Sequence, residues 1–80
     1  MFYVYILKSC KNSKLYKGVA EDLKNRILEH NSGKVRSTKN NRPWQLIYYE
    51  AFVNKTDAIR EEKFLKSGKG RERLQYLLTI

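Results

Sequence analysis

From Phe2 to Leu7 every side chain is aromatic, β-branched or aliphatic, and the run stops at a polar stretch, Lys8 to Lys14. A short apolar run bounded by turn chemistry reads as a β-strand. A second strand is expected over Leu15 to Val19, with a hairpin as the simplest connection, which makes the pair antiparallel. Side chains alternate across a strand, so Tyr3, Tyr5 and Leu7 share one face of the first strand, and Tyr16 and Gly18 share one face of the second. If those faces coincide, two phenols meet beside a glycine.

The rest of the chain supplies three helices and one more strand. Glu21 to Asn31 carries Leu23, Ile27 and Leu28 at helical spacing, opens with acids and closes on Asn31-Ser32-Gly33, so a helix is expected there. Lys34 to Arg42 has four basic side chains, no apolar period and a following proline, which predicts a solvated loop. Trp44 to Phe52 is the third strand candidate. Asn54 to Asp57 offers N-capping residues for a helix over Ala58 to Lys66, stopped by Ser67-Gly68-Lys69-Gly70. Arg71 to Leu78 predicts a short final helix that buries Leu74, Leu77 and Leu78. The order β-β-α-β-α-α predicts one domain over residues 1–80, α/β of the α+β type: a small three-stranded antiparallel sheet flanked by helices.

A chain of 80 residues buries about 60 to 65% of its unfolded surface, which leaves room for a shallow groove and not for a deep cavity. With 41% apolar residues it builds a core without staples. Seventeen Lys and Arg against eight Asp and Glu give a net charge of +9, a field that draws in a polyanion. Nucleic acid is the leading partner; a generic solvated basic surface and attraction to anionic lipid are the alternatives. Cys10 is the sole cysteine, which excludes a disulfide framework or thiolate cluster and suits a reducing interior. No segment resembles a signal peptide or approaches the ~18 apolar residues of a membrane span, so a soluble cytoplasmic protein is expected.

A few polar residues fall where packing alone does not put them. On the second helix Ala58 and Leu65 point almost the same way, and Glu62 lies about 40° from Ala58, inside the apolar stripe. A carboxylate there is paired with a cation, reaches the rim of the core, or binds a divalent ion. Glu61, at the other edge of the stripe, reads as its solvated neighbour. On the first helix His30 and Arg26 lie about 20° and about 60° to one side of Leu23, at the helix boundary from which a side chain reaches a groove. Arg26 is either an exposed residue paired with Asp22 or an anion contact. His30, the only histidine, is either a packing residue or a proton carrier. The tyrosines read as cross-strand packing when taken singly. Lys34, Arg36, Lys39 and Arg42 read as a nucleic-acid backbone-contacting segment.

Taken jointly, these residues resemble the GIY-YIG nuclease domain over roughly residues 2 to 78, most closely its small stand-alone members related to the N-terminal nuclease module of excinuclease. Tyr3-Val4-Tyr5 aligns with the first motif and Tyr16-Lys17-Gly18 with the second, where Lys17 stands in place of the usual isoleucine. Asp22 to Gly33 matches the helix bearing the family arginine and histidine, at Arg26 and His30. Ala58 to Lys66 matches the helix bearing the metal-binding glutamate, at Glu62. Val19-Ala20 replaces the usual small hydroxyl residue before the first helix, so an N-cap worth about 1 kcal/mol is expected to be missing.

The resemblance implies a phosphodiesterase acting on DNA, with RNA not excluded, structure-guided or weakly specific, in repair or recombination. It implies one divalent ion, Mg²⁺ or Mn²⁺, on Glu62 and no small-molecule cofactor. Tyr5 is the implied general base and Tyr16 orients water or phosphate. Arg26 neutralises charge on the phosphoryl oxygens, and His30 assists proton transfer or holds a tyrosine. A monomer is expected. The competing expectation is a non-catalytic basic nucleic-acid-binding module that retains the fold.

Overall fold

The computed structural model describes residues 1–78. Its elements are β1 (Phe2–Ser9), β2 (Leu15–Ala20), α1 (Leu23–Asn31), a 3₁₀ turn (Lys39–Asn41), β3 (Trp44–Phe52), α2 (Lys55–Leu65) and α3 (Gly68–Leu77). The three strands form one antiparallel sheet in the order β2-β1-β3, so β1 is central. The predicted fold class and element order hold.

The continuous apolar run of β1 follows from its position between two layers. Val4 and Ile6 face α2 and α3 and pack with Ala58, Leu65, Leu74 and Leu78. Tyr5 and Leu7 face α1 and pack with Trp44, Tyr16, Leu23, Ile27 and Leu46. Val4, Ile6 and Leu7 are each fully buried, and each contributes on the order of 2 kcal/mol through burial. A bulge opposite the Ile6–Leu7 step shifts the β1–β3 register, so that Ile6 pairs with Tyr48 and Leu7 with Leu46, and Ile47 joins Tyr48 against the α2–α3 layer.

The helices begin where sequence places them only in part. Asp22 caps α1 by accepting from the backbone N–H of Asn25 at 3.0 Å, so the cap expected to be missing is supplied two residues beyond Ala20. Leu28 is 61% exposed; the stripe of α1 that reaches the sheet is Leu23 and Ile27. The stop expected after α2 is a sharp corner: Ser67 caps α3 by accepting from Gly70 N–H at 3.2 Å. A Cβ on Gly70 would collide with the Phe64 carbonyl and the Leu65 backbone, so a glycine lets α3 start one residue past that corner. Leu74 and Leu78 are buried as predicted, whereas Leu77 lies on the exposed side. Among the described residues no helix is long and apolar enough to cross a membrane.

Candidate active site

Tyr5 and Gly18 are directly opposed across the β1–β2 ladder. A Cβ at position 18 would lie 2.5 Å from the phenol oxygen and 2.7 Å from Cζ. Glycine is therefore required for the Tyr5 ring to lie back over β2, where it is 1% exposed. The Tyr5 hydroxyl meets Nε2 of His30 at 2.8 Å. Nδ1 of the same imidazole meets Oγ1 of Thr38 at 2.8 Å.

The Thr38 hydroxyl donates to the carbonyl of Val35 at 3.3 Å, so toward His30 it accepts. That assigns the proton to Nδ1 and leaves Nε2 as acceptor for the Tyr5 O–H. His30 and Thr38 are both fully buried, and that end of the chain Tyr5–His30–Thr38 is thus held away from water.

The support for this chain comes from the segment that sequence reads as a solvated loop. Trp44 donates its indole N–H to the Thr38 carbonyl at 2.8 Å. Asn31, the last residue of α1, accepts from the Trp44 backbone N–H at 2.6 Å and donates to its carbonyl at 3.0 Å. The loop is therefore pinned at its buried threonine and closed onto the end of α1. Lys34, Arg36, Lys39 and Arg42 lie on its outside, all four exposed. Arg42 turns inward enough for its Nε to donate to the Lys39 carbonyl at 2.7 Å, with its guanidinium over Gly33. Thr38, Trp44 and Asn31 are not among the residues that sequence marks as functional. A threonine between basic residues carries no periodic or motif signal, and its role depends on contacts formed only in the fold.

Tyr16 is half-buried, its ring centroid 6.3 Å from that of Tyr5, 4.9 Å from that of His30 and 6.3 Å from that of Trp44. The two phenols share the α1 side of the sheet, as the alternation predicts. Arg26 pairs with Glu29 at 3.3 Å and not with Asp22, whose carboxylate caps the helix. Its side chain is 36% exposed, so a ligand can reach it.

Burial pushes the Tyr5 phenol above its usual range; the nearby Arg26 pulls it back, while Tyr16 and Glu62 push it up. Burial holds His30 below the usual imidazole range, and the charge of Arg26 adds to that, with Glu29 opposing. Both partners of the 2.8 Å bond are therefore neutral at neutral pH, a phenol facing a bare nitrogen.

Glu62 comes from the opposite layer, on α2, yet lies near enough to Tyr5 for its charge to act on the phenol. Its side chain is 20% exposed and pairs with Lys66 one turn on at 3.2 Å, the paired alternative that helical spacing left open. Glu61 is not the solvated neighbour expected of it. It is half-buried and lies close enough to Glu50 of β3 to raise the pKa of that carboxyl. The structure thus gathers Tyr5, Tyr16, Arg26 and His30 against one another, sets Glu62 within electrostatic reach, and leaves the loop cations beside them.

A family model described as the GIY-YIG catalytic domain matches residues 1–75. A UPF0213 protein of Pediococcus acidilactici is 43% identical over 79 residues, covering 95% of this chain and 80% of the relative. One from Staphylococcus saprophyticus is 40% identical over 76 residues, covering 94% and 92%. The solution NMR structure of a UPF0213 protein from Bacillus halodurans is similar with a TM-score of 0.57 and 38% identity, covering 96% of this chain and 85% of that one. Matched from β1 into α3, the chain belongs to the GIY-YIG domain family.

Proposed function

We propose that this protein is a divalent-metal-dependent phosphodiesterase that cleaves DNA. The observation that carries the reading is the buried hydrogen-bonded chain from Tyr5 through His30 to Thr38, with Arg26 beside it. A phosphate seated at Arg26 brings its attacking water to the Tyr5 hydroxyl. As water adds to phosphorus its proton passes to the Tyr5 oxygen while the phenol proton passes to Nε2 of His30. The phosphorus–oxygen bond to the leaving strand then breaks, and Arg26 offsets the charge that grows on the phosphoryl oxygens. The Nδ1–H bond to Thr38 holds the imidazole in the tautomer that can receive this proton. Tyr16 lies where it can orient the water or the phosphate.

Glu62 is the residue that would hold the ion. Among the described residues no three His, Cys, Asp or Glu side chains converge. A hard ion held by one carboxylate, substrate phosphate and water is a known mode for Mg²⁺ or Mn²⁺, and the Glu62 donor set fits it. When bound, the ion neutralises charge on the phosphoryl and leaving oxygens. The exposed Lys34, Arg36 and Lys39 would contact phosphates, which carry no sequence information, so binding in repair or recombination would be structure-guided or weakly specific.

The test is cleavage of single-stranded, duplex and branched DNA with Mg²⁺ or Mn²⁺, comparing the parent chain with Arg26→Ala and Glu62→Ala. The parent alone is expected to cleave, and chelation is expected to stop it. Equal residual cleavage by all three would mark a contaminant and sink the enzyme reading. The Glu62–Lys66 ion pair favours a second reading, in which the carboxylate is permanently neutralised and the chain is a basic nucleic-acid-binding module. Tight binding with no metal-dependent cleavage would select it.

A further inference from the structure

Lys17 leaves β2 on the face opposite Tyr16 and Gly18, in register with Ile6. There it lines a recess of about 330 Å³ between β2 and α3, with Leu15 on its own strand and Arg71, Leu74 and Leu78 across from it. The floor is apolar, since Leu74 and Leu78 are buried, and the polar wall is made of the cations Lys17 and Arg71 with the neutral Gln75. Lys66, at the end of α2, lies outside the lining but near enough for its charge to act on Lys17. Burial, followed by the fields of Arg71 and Lys66, holds Lys17 below the ordinary lysine range. Among the described residues neither Lys17 nor Arg71 is in an ion pair, and Lys66 is paired only with Glu62. Lys17 and Arg71, brought together by a strand and a helix and both without an ion pair among the described residues, repel one another unless an anion joins them.

We propose that the Lys17–Arg71 recess binds a backbone phosphate of the nucleic-acid strand whose scissile phosphate occupies the Tyr5 site. This rests on the phosphodiesterase reading and extends it. The occupant is argued from placement. β2 is the edge strand of the sheet, so nothing in the sheet lies beyond it. Tyr16 and Gly18 present the catalytic face of that edge, and Lys17, between them, presents the other. The Lys66–Glu62 pair lies between the two, Lys66 acting by its charge on Lys17 and Glu62 on Tyr5. A flexible single strand turning over this edge offers successive phosphates to both faces. A duplex, stiff over ~150 base pairs, does not turn so sharply without a large cost. Leu15, 38% exposed, gives the sugar or base an apolar contact.

The experiment measures binding of a short single-stranded oligothymidylate without divalent metal, across a salt series, for the parent, Lys17→Ile, Arg71→Gln and the exposed control Lys55→Gln. Each recess variant is expected to bind more than about threefold more weakly and to lower the slope of log K against log salt by about 0.7, one phosphate contact on a single strand. Binding within twofold of the parent with an unchanged slope, in variants that remain folded by circular dichroism, overturns the proposal. A parallel titration with inorganic phosphate separates a free-anion site: saturation of the Lys17 and Arg71 side-chain NMR signals as tightly as by oligothymidylate also overturns it. Because the readout is metal-free binding, it stands apart from turnover. A parent that never cleaves yet shows the Lys17 and Arg71 dependence removes the enzyme reading and keeps the phosphate site. Metal-dependent cleavage by a parent whose recess variants bind normally does the reverse.

Discussion

Substituting alanine for Gly18 puts one methyl group where the Tyr5 ring now lies. The added carbon would sit 2.5 Å from the phenol oxygen, 2.7 Å from Cζ and 3.0 Å from Cε1, against an ordinary contact of about 3.5 to 4 Å. The ring must retreat by about 1 Å, but it is 1% exposed and tethered to His30, so the strands or α1 must move with it. Overpacking of this kind costs ~1–3 kcal/mol. Loss of the Tyr5–His30 hydrogen bond adds ~1 kcal/mol, and the lower chain entropy of alanine in the unfolded state returns ~0.5–1 kcal/mol. A net loss of ~2–3 kcal/mol is expected in urea denaturation, seen as a lower midpoint at constant slope. Metal-dependent cleavage should fall further than stability does, because the displaced atom is the proposed base. Tyr5→Leu removes the oxygen, Cζ and Cε1 that make all three contacts. In that background Gly18→Ala should therefore cost little, giving a coupling energy above ~1.5 kcal/mol. A cost under ~0.5 kcal/mol in the parent, equal to that in the Tyr5→Leu background, would refute the claim that this glycine exists to admit the phenol.

Two further outcomes bear on buried polar groups. Thr38→Val keeps the shape of the side chain but leaves Nδ1–H of His30 without its acceptor; cleavage is expected to drop about tenfold or more with a displaced pH–rate profile, at ~1–2 kcal/mol of stability, and an unchanged profile would show that Thr38 is only packing. Glu50 has a buried carboxylate oxygen without a partner, and burial, with Glu61 beside it, raises its pKa from 4.5 to about 7. The folded state keeps this proton after the unfolded state has lost it, so the contribution is full below about pH 4.5 and is lost as pH rises through about 7, by up to ~3 kcal/mol. Glu50→Gln should flatten that fall. His30, with its pKa lowered, favours the folded state as pH rises, so the quantity to compare in urea denaturation at pH 5 and pH 8 is the parent minus the variant. Identical pH dependence in both proteins would exclude the Glu50–Glu61 pair as its source.

The elements are legible in sequence because each is written in local periodicity: the apolar run of β1, the Leu23–Ile27 stripe of α1 and the aromatic strand β3. The faces are legible too, since alternation alone brings Tyr5, Tyr16 and Gly18 together. Three kinds of information are not. Caps depend on single hydrogen bonds, which is why Asp22 reads as a partner for Arg26 and not as the cap of α1. Helical spacing gives direction and not depth, so Glu61 reads as solvated although Glu50 of β3 lies beside it, and Leu28 falls at the spacing of Leu23 and Ile27 although the sheet stops short of it. Long-range clamps leave no local trace. The Asn31–Trp44 pair and the Thr38–His30 bond join segments that composition describes only as loop.

β1 runs through the middle of the sheet, and its residues belong by turns to two different interiors. Tyr5 is bonded on one side to Val4 and on the other to Ile6, and both of those are gripped by the helices of the opposite layer. A hydroxyl that must stand 2.8 Å from a nitrogen therefore inherits its position from packing on the far side of the sheet. In a domain this thin, no interior position is remote from the chemistry: a methyl group removed behind the sheet is felt in front of it.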